Sequence, residues 1–279
     1  MDEPIFYLNG SFVPQSRALL SILDLGIVRG YGVFDYLITY GRKPFHLSDH
    51  LQRLIRSAGM IGVDMPWDEK QLTELVMATL EKNPCGEKSI RLIVTGGESF
   101  DLYTPGFHPT LAIIVLPSER YPREYYERGA KVITFQARRE IPKAKTLNYI
   151  LGVRALIQAK KVGAVEALYA SQDSVYEGVS SSFFSVKDGV VITASRDTLE
   201  SVTRKVVLGL IKDKYLVELR DLKTTEVVSA DEAFLASSNR EVMPVTMIND
   251  TPIGDGTPGR ITRDIMNLFR RYTTQYSSQ

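Results

Sequence analysis

The chain has 279 residues, with 34 Lys or Arg against 33 Asp or Glu and a net charge of +1, a balance that gives no reason to expect nucleic acid or an anionic membrane as partner. Its 44% hydrophobic and 24% charged residues are ordinary for a soluble globular protein, and its length allows two modest domains. A single cysteine, Cys85, excludes an internal disulfide and fits a reducing cytoplasm, the early Asp2 and Glu3 argue against a signal peptide, and no apolar run is long enough to span a bilayer.

In chain order, Ile5–Leu8 and Ser11–Val13 around Asn9-Gly10 read as a hairpin. Val33–Tyr40 is a strand rich in aromatic and branched residues, ended by Gly41-Arg42. Tyr36, two positions after Phe34, should share its face. Ser48 can cap a helix to about Met60, with Leu51, Leu54, Ile55 and Ala58 inward and Arg53 at the buried edge. A second helix runs from Asp68 through Leu80. Ser89–Thr95 is an apolar strand containing Arg91, a charge that wants a partner. Glu98–His108 reads as a mobile loop and Leu111–Leu116 as another strand. The proline and charges of 117–124 mark a linker, so the expected domains are 1–118, a linker at 119–123, and 124–279.

Lys131–Phe135 opens the second half. The apolar residues Ile150, Val153, Ala155, Leu156 and Ala159 predict a helix from Asn148 to Val162. Strands are expected at Ala167–Ala170 and Phe183–Val186, with a hairpin over 186–193. A helix begins near Val202 and buries Val206, Val207, Leu210 and Ile211. The last helix is placed at about Ile261 to Phe269, with Thr273–Gln279 frayed.

Lys145 before the helix and Glu177 between the strands stand out as an amine and an acid on neighbouring elements. Such a pair suits pyridoxal phosphate, whose aldehyde takes a lysine and whose ring nitrogen takes a carboxylate. The stretches K-T-L-N-Y, E-A-L-Y and V-Y-E-G-V-S-S-S-F-F resemble the fold-type-IV enzymes that use this cofactor: D-amino-acid aminotransferases, branched-chain aminotransferases and aminodeoxychorismate lyases. Further matches lie at Arg29-Gly30 with Gly32-Val33-Phe34, at His50-Leu51 with Arg53-Leu54 and Ser57-Ala58, and at D-E-A-F-L-A-S-S-N-R-E-V-M-P-V. Departures are Tyr31 for aspartate, Ser182 for asparagine, Ser201 for glycine and Ser238 for threonine.

The resemblance implies a two-domain α+β / α/β fold, with a small N-terminal α+β domain and a larger C-terminal domain built on a barrel-like sheet. It implies pyridoxal 5′-phosphate as cofactor, bonded to Lys145 and paired through its ring nitrogen with Glu177. Arg53, the backbone of Val202 and Thr203, and Ser238 would hold the phosphate, a guanidinium and a helix N-terminus both suiting an anion. Arg138 would brace the cofactor's phenolic side. Arg29, Phe34, Tyr36, Arg91, Ser237 and Asn239 would line the substrate pocket. No metal is expected. The partners implied are an amino acid, a 2-oxo acid and a second copy of the chain, in a homodimer whose site lies at the subunit and domain interface. The reaction is a ping-pong transamination. The K-T-L-N spacing favours D-amino acids, although the usual R-x-H after the Ser89–Thr95 strand is missing and Arg91 matches the branched-chain enzymes. A branched-chain L-aminotransferase is second and the lyase third. An inert cofactor-binding paralogue is the non-enzyme alternative, opposed by the retention of both Lys145 and Glu177.

Overall fold

The structure is a computed structural model that describes residues 3–106 and 108–278. The chain divides into two compact units. The first comprises Met1–Glu119, Ala144–Asn148 and Tyr276–Gln279; the second comprises Arg120–Lys143 and Tyr149–Gln275. Lys145 therefore groups with the first unit, while Glu177 groups with the second.

The first unit contains β1 (Ile5–Leu8), β2 (Ser11–Pro14), α1 (Leu25–Val28), β3 (Gly32–Tyr40), β4 (Lys43–Pro44), α2 (Leu47–Met60), α3 (Glu69–Glu81), β5 (Lys88–Thr95) and β6 (Thr110–Pro117). Its strands form one sheet in the order β2-β1-β6-β5-β3-β4. Leu51, Leu54 and Ala58 of α2 and Leu72 and Val76 of α3 pack with Val33, Leu37, Ile90, Leu92 and Val94 as the core. The period-two alternation of β3 turns Val33, Asp35 and Leu37 to one face and Phe34 and Tyr36 to the other. The helix that Ser48 is expected to cap starts two residues earlier, behind His46 in a left-handed conformation, and the Ser48 hydroxyl donates to Glu69 instead of capping. Asp68 caps α3 in a reciprocal box with Gln71.

The second unit contains α4 (Glu124–Glu127), β7 (Ala130–Gln136), α5 (Ile150–Lys161), β8 (Glu166–Ala170), β9 (Ser174–Gly178), β10 (Ser182–Lys187), β11 (Val190–Thr193), α6 (Val202–Ile211), β12 (Val217–Leu219), β13 (Leu222–Lys223), α7 (Thr224–Val228), β14 (Glu232–Ser237), β15 (Glu241–Ile248), β16 (Thr251–Pro252) and α8 (Arg260–Ser278). Residues 276–278, the end of α8, group with the first unit. The curled, half-barrel sheet of the second unit runs β12-β11-β10-β14-β15-β7-β8-β9-β13, with β16 paired to β15. Val132, Leu168, Phe183, Ile192, Leu235, Met243 and Ile248 fill its core.

The helix expected over 148–162 is present, whereas the expectation of a frayed tail is corrected. Helix α5 buries Gly152, Ala155 and Ala159 against Ile133, Ala167 and Tyr169, whereas Ile150 and Val153 are exposed. Small residues let the helix approach the sheet closely, and a count of apolar positions is blind to side-chain size. The tail from Thr273 is helical up to Ser278; Gln279 lies outside the described residues. Thr273 is buried, and the Tyr276 ring stacks on His46 and meets Phe45 edge-on. No helix among the described residues is long and apolar enough to cross a membrane.

Candidate active site

In the first unit, residues 144–148 run beside the start of β3. The Phe34 N–H donates to the Lys145 carbonyl at 2.9 Å, and the Leu147 N–H donates to the Gly32 carbonyl at 2.9 Å. Val33 and Thr146 form the matching antiparallel bridge. The Lys145 N–H donates to Ser57 Oγ on α2 at 3.1 Å. Main-chain bonds on both sides thus fix where this lysine leaves the backbone. Its Nζ lies 4.5 Å from the centre of the Phe34 ring. The Arg91 guanidinium lies 5.4 Å from the same ring and 5.6 Å from that of Tyr36, its register partner across β3 and β5. The charge in the apolar strand therefore finds aromatic faces, and Lys145, Phe34, Tyr36 and Arg91 form one constellation.

Arg53 stands on the other side of β3. Its Nε and Nη2 each donate to the buried Asp35 carboxylate at 2.8 Å. His50, one helical turn earlier, meets the same carboxylate through Nδ1 at 2.6 Å. Burial alone would raise the Asp35 pKa, but the Arg53 and His50 contacts win and hold it well below the carboxylate range. Burial lowers the His50 pKa further than Asp35 raises it. An ionised carboxylate only accepts, so the His50 proton sits on Nδ1. Nε2 is buried with no hydrogen-bond partner among the described residues. Nothing in the sequence singles out Asp35; only the alternation of β3 against α2 exposes its role.

Arg29 is exposed, with its guanidinium 4.3 Å from the Tyr103 ring. The loop carrying Tyr103 is organised by Asp101, which accepts from Ser99, Tyr103 and Thr104.

In the second unit Glu177 is almost fully buried. Arg139 donates to its Oε1 from Nε at 3.0 Å and from Nη2 at 2.6 Å, while the Leu199 N–H donates to Oε2 at 2.9 Å. Arg138 pairs with Asp197, and its neighbour Arg139 pairs with Glu177. The Tyr149 hydroxyl donates to the Val179 carbonyl at 2.5 Å, and burial pushes its pKa far up. Tyr169 is pushed up to about 12, chiefly by burial. Both phenols are therefore neutral at physiological pH.

Helix α6 begins behind Ser201, whose Oγ accepts the Arg204 N–H. The first N–H groups of a helix have no intrahelical acceptor, and Val202 and Thr203, both buried, contribute the first two of α6. Ser237 ends β14, and Ser238 and Asn239 follow it in the tight connection to β15, where Ser237 Oγ donates to the Asn239 side-chain oxygen at 3.2 Å.

The amino-transferase class IV family matches residues 32–248, a span that takes in β3, α2, the lysine segment, Glu177 and α6. The chain belongs to the class IV aminotransferases. D-alanine aminotransferase of Staphylococcus epidermidis is 32% identical over 277 residues, covering 97% of this chain and 98% of the relative. A putative branched-chain-amino-acid aminotransferase of Methanocaldococcus jannaschii is 33% identical over 282 residues, covering 97% and 96%. Among solved structures, the branched-chain aminotransferase of the thermophilic archaeon Thermoproteus uzoniensis with norvaline superposes with a TM-score of 0.90 at 26% identity, over 98% of this chain and 96% of that one. The fold IV-transaminase CpuTA1 of Curtobacterium pusillum gives 0.82 at 26% identity, over 95% and 93%. The fold is that of fold-type-IV aminotransferases, and class IV aminotransferases use pyridoxal 5′-phosphate. As a class IV aminotransferase, this protein is an enzyme that exchanges an amino group between an amino acid and a 2-oxo acid.

Proposed function

We propose that this class IV aminotransferase acts on D-amino acids, with Lys145 as its catalytic residue. The observation that carries this reading is the Lys145 ammonium held over Phe34 beside Tyr36 and Arg91. The 32% identity to D-alanine aminotransferases over nearly the whole chain supports the D preference.

The chemistry of the residues in each unit suits the cofactor. Lys145 supplies the amine that bonds to its aldehyde, Glu177 with Arg139 behind it supplies the ring-nitrogen partner, and the α6 N-terminus, Arg53 and Ser238 supply phosphate donors. When bound, pyridoxal 5′-phosphate supplies a carbonyl that carries the amino group and a ring that withdraws electrons from the substrate's Cα. Lys145 Nζ, released from the aldehyde when the substrate's amine takes its place, would carry the proton from that Cα to the cofactor's aldehyde carbon in the first half-reaction and in the opposite direction in the second. Glu177 would hold a proton at the ring nitrogen, with Arg139 and the Leu199 N–H aiming its carboxylate. The Phe34 ring lies against the lysine ammonium and orients it. Arg91 and Arg29 bind the substrate's α-carboxylate in place of the missing R-x-H, and Tyr36, Ser237 and Asn239 shape the side-chain pocket.

A branched-chain L-aminotransferase is the second reading, favoured by the position of Arg91 in β5. A homodimer is part of the proposal. Leu19, Ile22, Ile27, Phe100 and Tyr103 form an exposed apolar patch on the neighbouring segments 19–29 and 98–103, which a second copy would cover. The balanced charge and lone cysteine agree with a cytoplasmic location.

The test follows the cofactor spectrum in single half-reactions with D-alanine, D-glutamate and L-leucine. Conversion by the D-acids at least tenfold faster than by L-leucine is expected; the reverse order would establish the branched-chain reading. Borohydride reduction should fix the cofactor to Lys145, and a label recovered on any other lysine would remove the catalytic assignment.

A further inference from the structure

Outside these residues the second unit holds a buried ion pair that the chemistry does not use. Glu166 is fully buried and Arg240 is 3% exposed. Glu166 Oε2 accepts from the Ser180 N–H at 3.2 Å, the Ser180 hydroxyl at 2.8 Å and the Ser181 hydroxyl at 3.2 Å. Its Oε1 accepts from the Ala167 N–H at 3.1 Å. Arg240 Nη1 lies 3.3 Å from the same Oε2 and donates to Ser180 Oγ at 2.7 Å, while Nη2 donates to the Val165 carbonyl at 3.2 Å. The guanidinium lies 4.8 Å from the Tyr121 ring, and the Arg240 carbonyl accepts from the Tyr126 hydroxyl at 3.1 Å. Arg240 Nε is buried without a hydrogen-bond partner among the described residues.

What the pair joins gives it meaning. Ser180 and Ser181 belong to a tight turn that follows Glu177 directly, closed by the Gly178 N–H on the Ser181 carbonyl at 2.8 Å. A Cβ at Gly178 would come within 2.3 Å of Ser181 Oγ, so the turn leaves no room there. Arg240 directly follows Ser237-Ser238-Asn239. One guanidinium therefore ties the loop assigned to the phosphate to the turn beside the residue assigned to the ring nitrogen. Burying two charges carries a large desolvation cost, and packing alone is served as well by apolar side chains. Glu166 also cancels the charge of Arg240, so Arg240 adds no net attraction for a phosphate. Its fixed geometry is what remains. A ligand whose phosphate and ring nitrogen are covalently at a set distance needs grips at a set distance.

We propose that Arg240, neutralised by Glu166, is a positioning residue: a cross-brace that fixes the spacing between the Ser237–Asn239 loop and the 178–181 turn, and with it the spacing between the phosphate grip and Glu177. This rests on the cofactor assignment made above. It predicts that breaking the brace weakens binding of the whole cofactor while sparing each half of it, because each grip stays intact on its own.

The experiment titrates cofactor-free protein with pyridoxal 5′-phosphate, pyridoxal and inorganic phosphate separately, and records the thermal midpoint of each cofactor-free variant. The double variant Glu166→Gln/Arg240→Met removes both charges together, so neither is left buried and unpaired. It should bind pyridoxal 5′-phosphate at least tenfold more weakly than the wild type, with pyridoxal and phosphate each within twofold. Arg240→Lys keeps the charge but cannot reach Ser180 and Val165 together; it should give the same pattern at smaller amplitude, and it decides the matter if the double variant does not fold. Unchanged affinity for the whole cofactor overturns the brace, as does an equal loss for all three ligands accompanied by a fall in the thermal midpoint. A wild-type protein that fails to bind pyridoxal 5′-phosphate would overturn the cofactor assignment itself, which no variant result would imitate.

Discussion

At Lys145 the backbone and the side chain have separate tasks. The backbone is held by Phe34 and Ser57, so truncating the side chain removes chemistry without removing those bonds. Lys145→Ala should therefore fold with an unchanged circular dichroism spectrum, yet lose about 10³-fold or more in turnover, the contribution of a positioned proton carrier and covalent partner. A steady-state assay with D-alanine and a 2-oxo acid measures this; residual activity within tenfold of wild type would refute it. Asp35, His50 and Arg53 make a second prediction, in acid stability. The folded His50 pKa lies below its ordinary value, so as the pH falls below about 6.5 the unfolded chain takes up a proton that the folded chain resists, and stability is lost. The folded Asp35 pKa is also depressed, so its contribution is present above about 3.9 and lost as the pH falls further. Urea unfolding of cofactor-free protein between pH 7.5 and 4.5 should show the first decline, and His50→Gln should flatten it. A curve of the same slope in the variant would assign the decline to another group.

At the scale of elements, amphipathic spacing gave α2 and α3 their buried faces, and the alternation in Val33–Tyr40 put Phe34 and Tyr36 together. The motifs that carried the resemblance are short and contiguous, which is why Lys145 and Glu177 stood out without coordinates. Arg139, Asp35, Glu166 and Arg240 did not, because their partners are brought to them by register between distant strands and helices. In α5 the apolar period marks the helix, but its closest contacts are made by small residues, which periodicity does not distinguish. Ala155→Leu should consequently cost about 1–3 kcal/mol by overpacking the contact with β7 and β8, read as a shift in the denaturation midpoint. A neutral result would mean the helix can slide outward at no cost. Gly97 ends the approach to the 98–108 loop with φ +74°, and a Cβ there would come within 2.0 Å of the His108 carbonyl oxygen. Gly97→Ala should lower the thermal midpoint by several degrees, since both the conformation and the space are wrong for a side chain. An unshifted midpoint would mean that the loop moves aside readily.

Over the whole chain, the C-terminal helix is the largest departure from the sequence reading. Its polar last turns looked dispensable because Tyr276 is one aromatic among hydrophilic neighbours. The Tyr276 hydroxyl accepts from the His46 N–H and donates to the Pro44 carbonyl, both at 3.0 Å, across more than two hundred residues. Tyr276→Phe keeps the ring contacts and removes both bonds, so it should destabilise the protein by about 1–2 kcal/mol in chemical denaturation. No measurable change would return the tail to a passive role. The five-residue stretch 144–148 has a comparable reach, since Val33 and Thr146 are bridged from positions more than a hundred residues apart. Such pairings form late, after closing a long loop of chain has exacted its entropy. During refolding, the sheet of Gly32–Tyr40 can assemble well before the lysine is delivered to it, and a ribosome must extend the polypeptide far past that strand before the reactive amine exists in its working place.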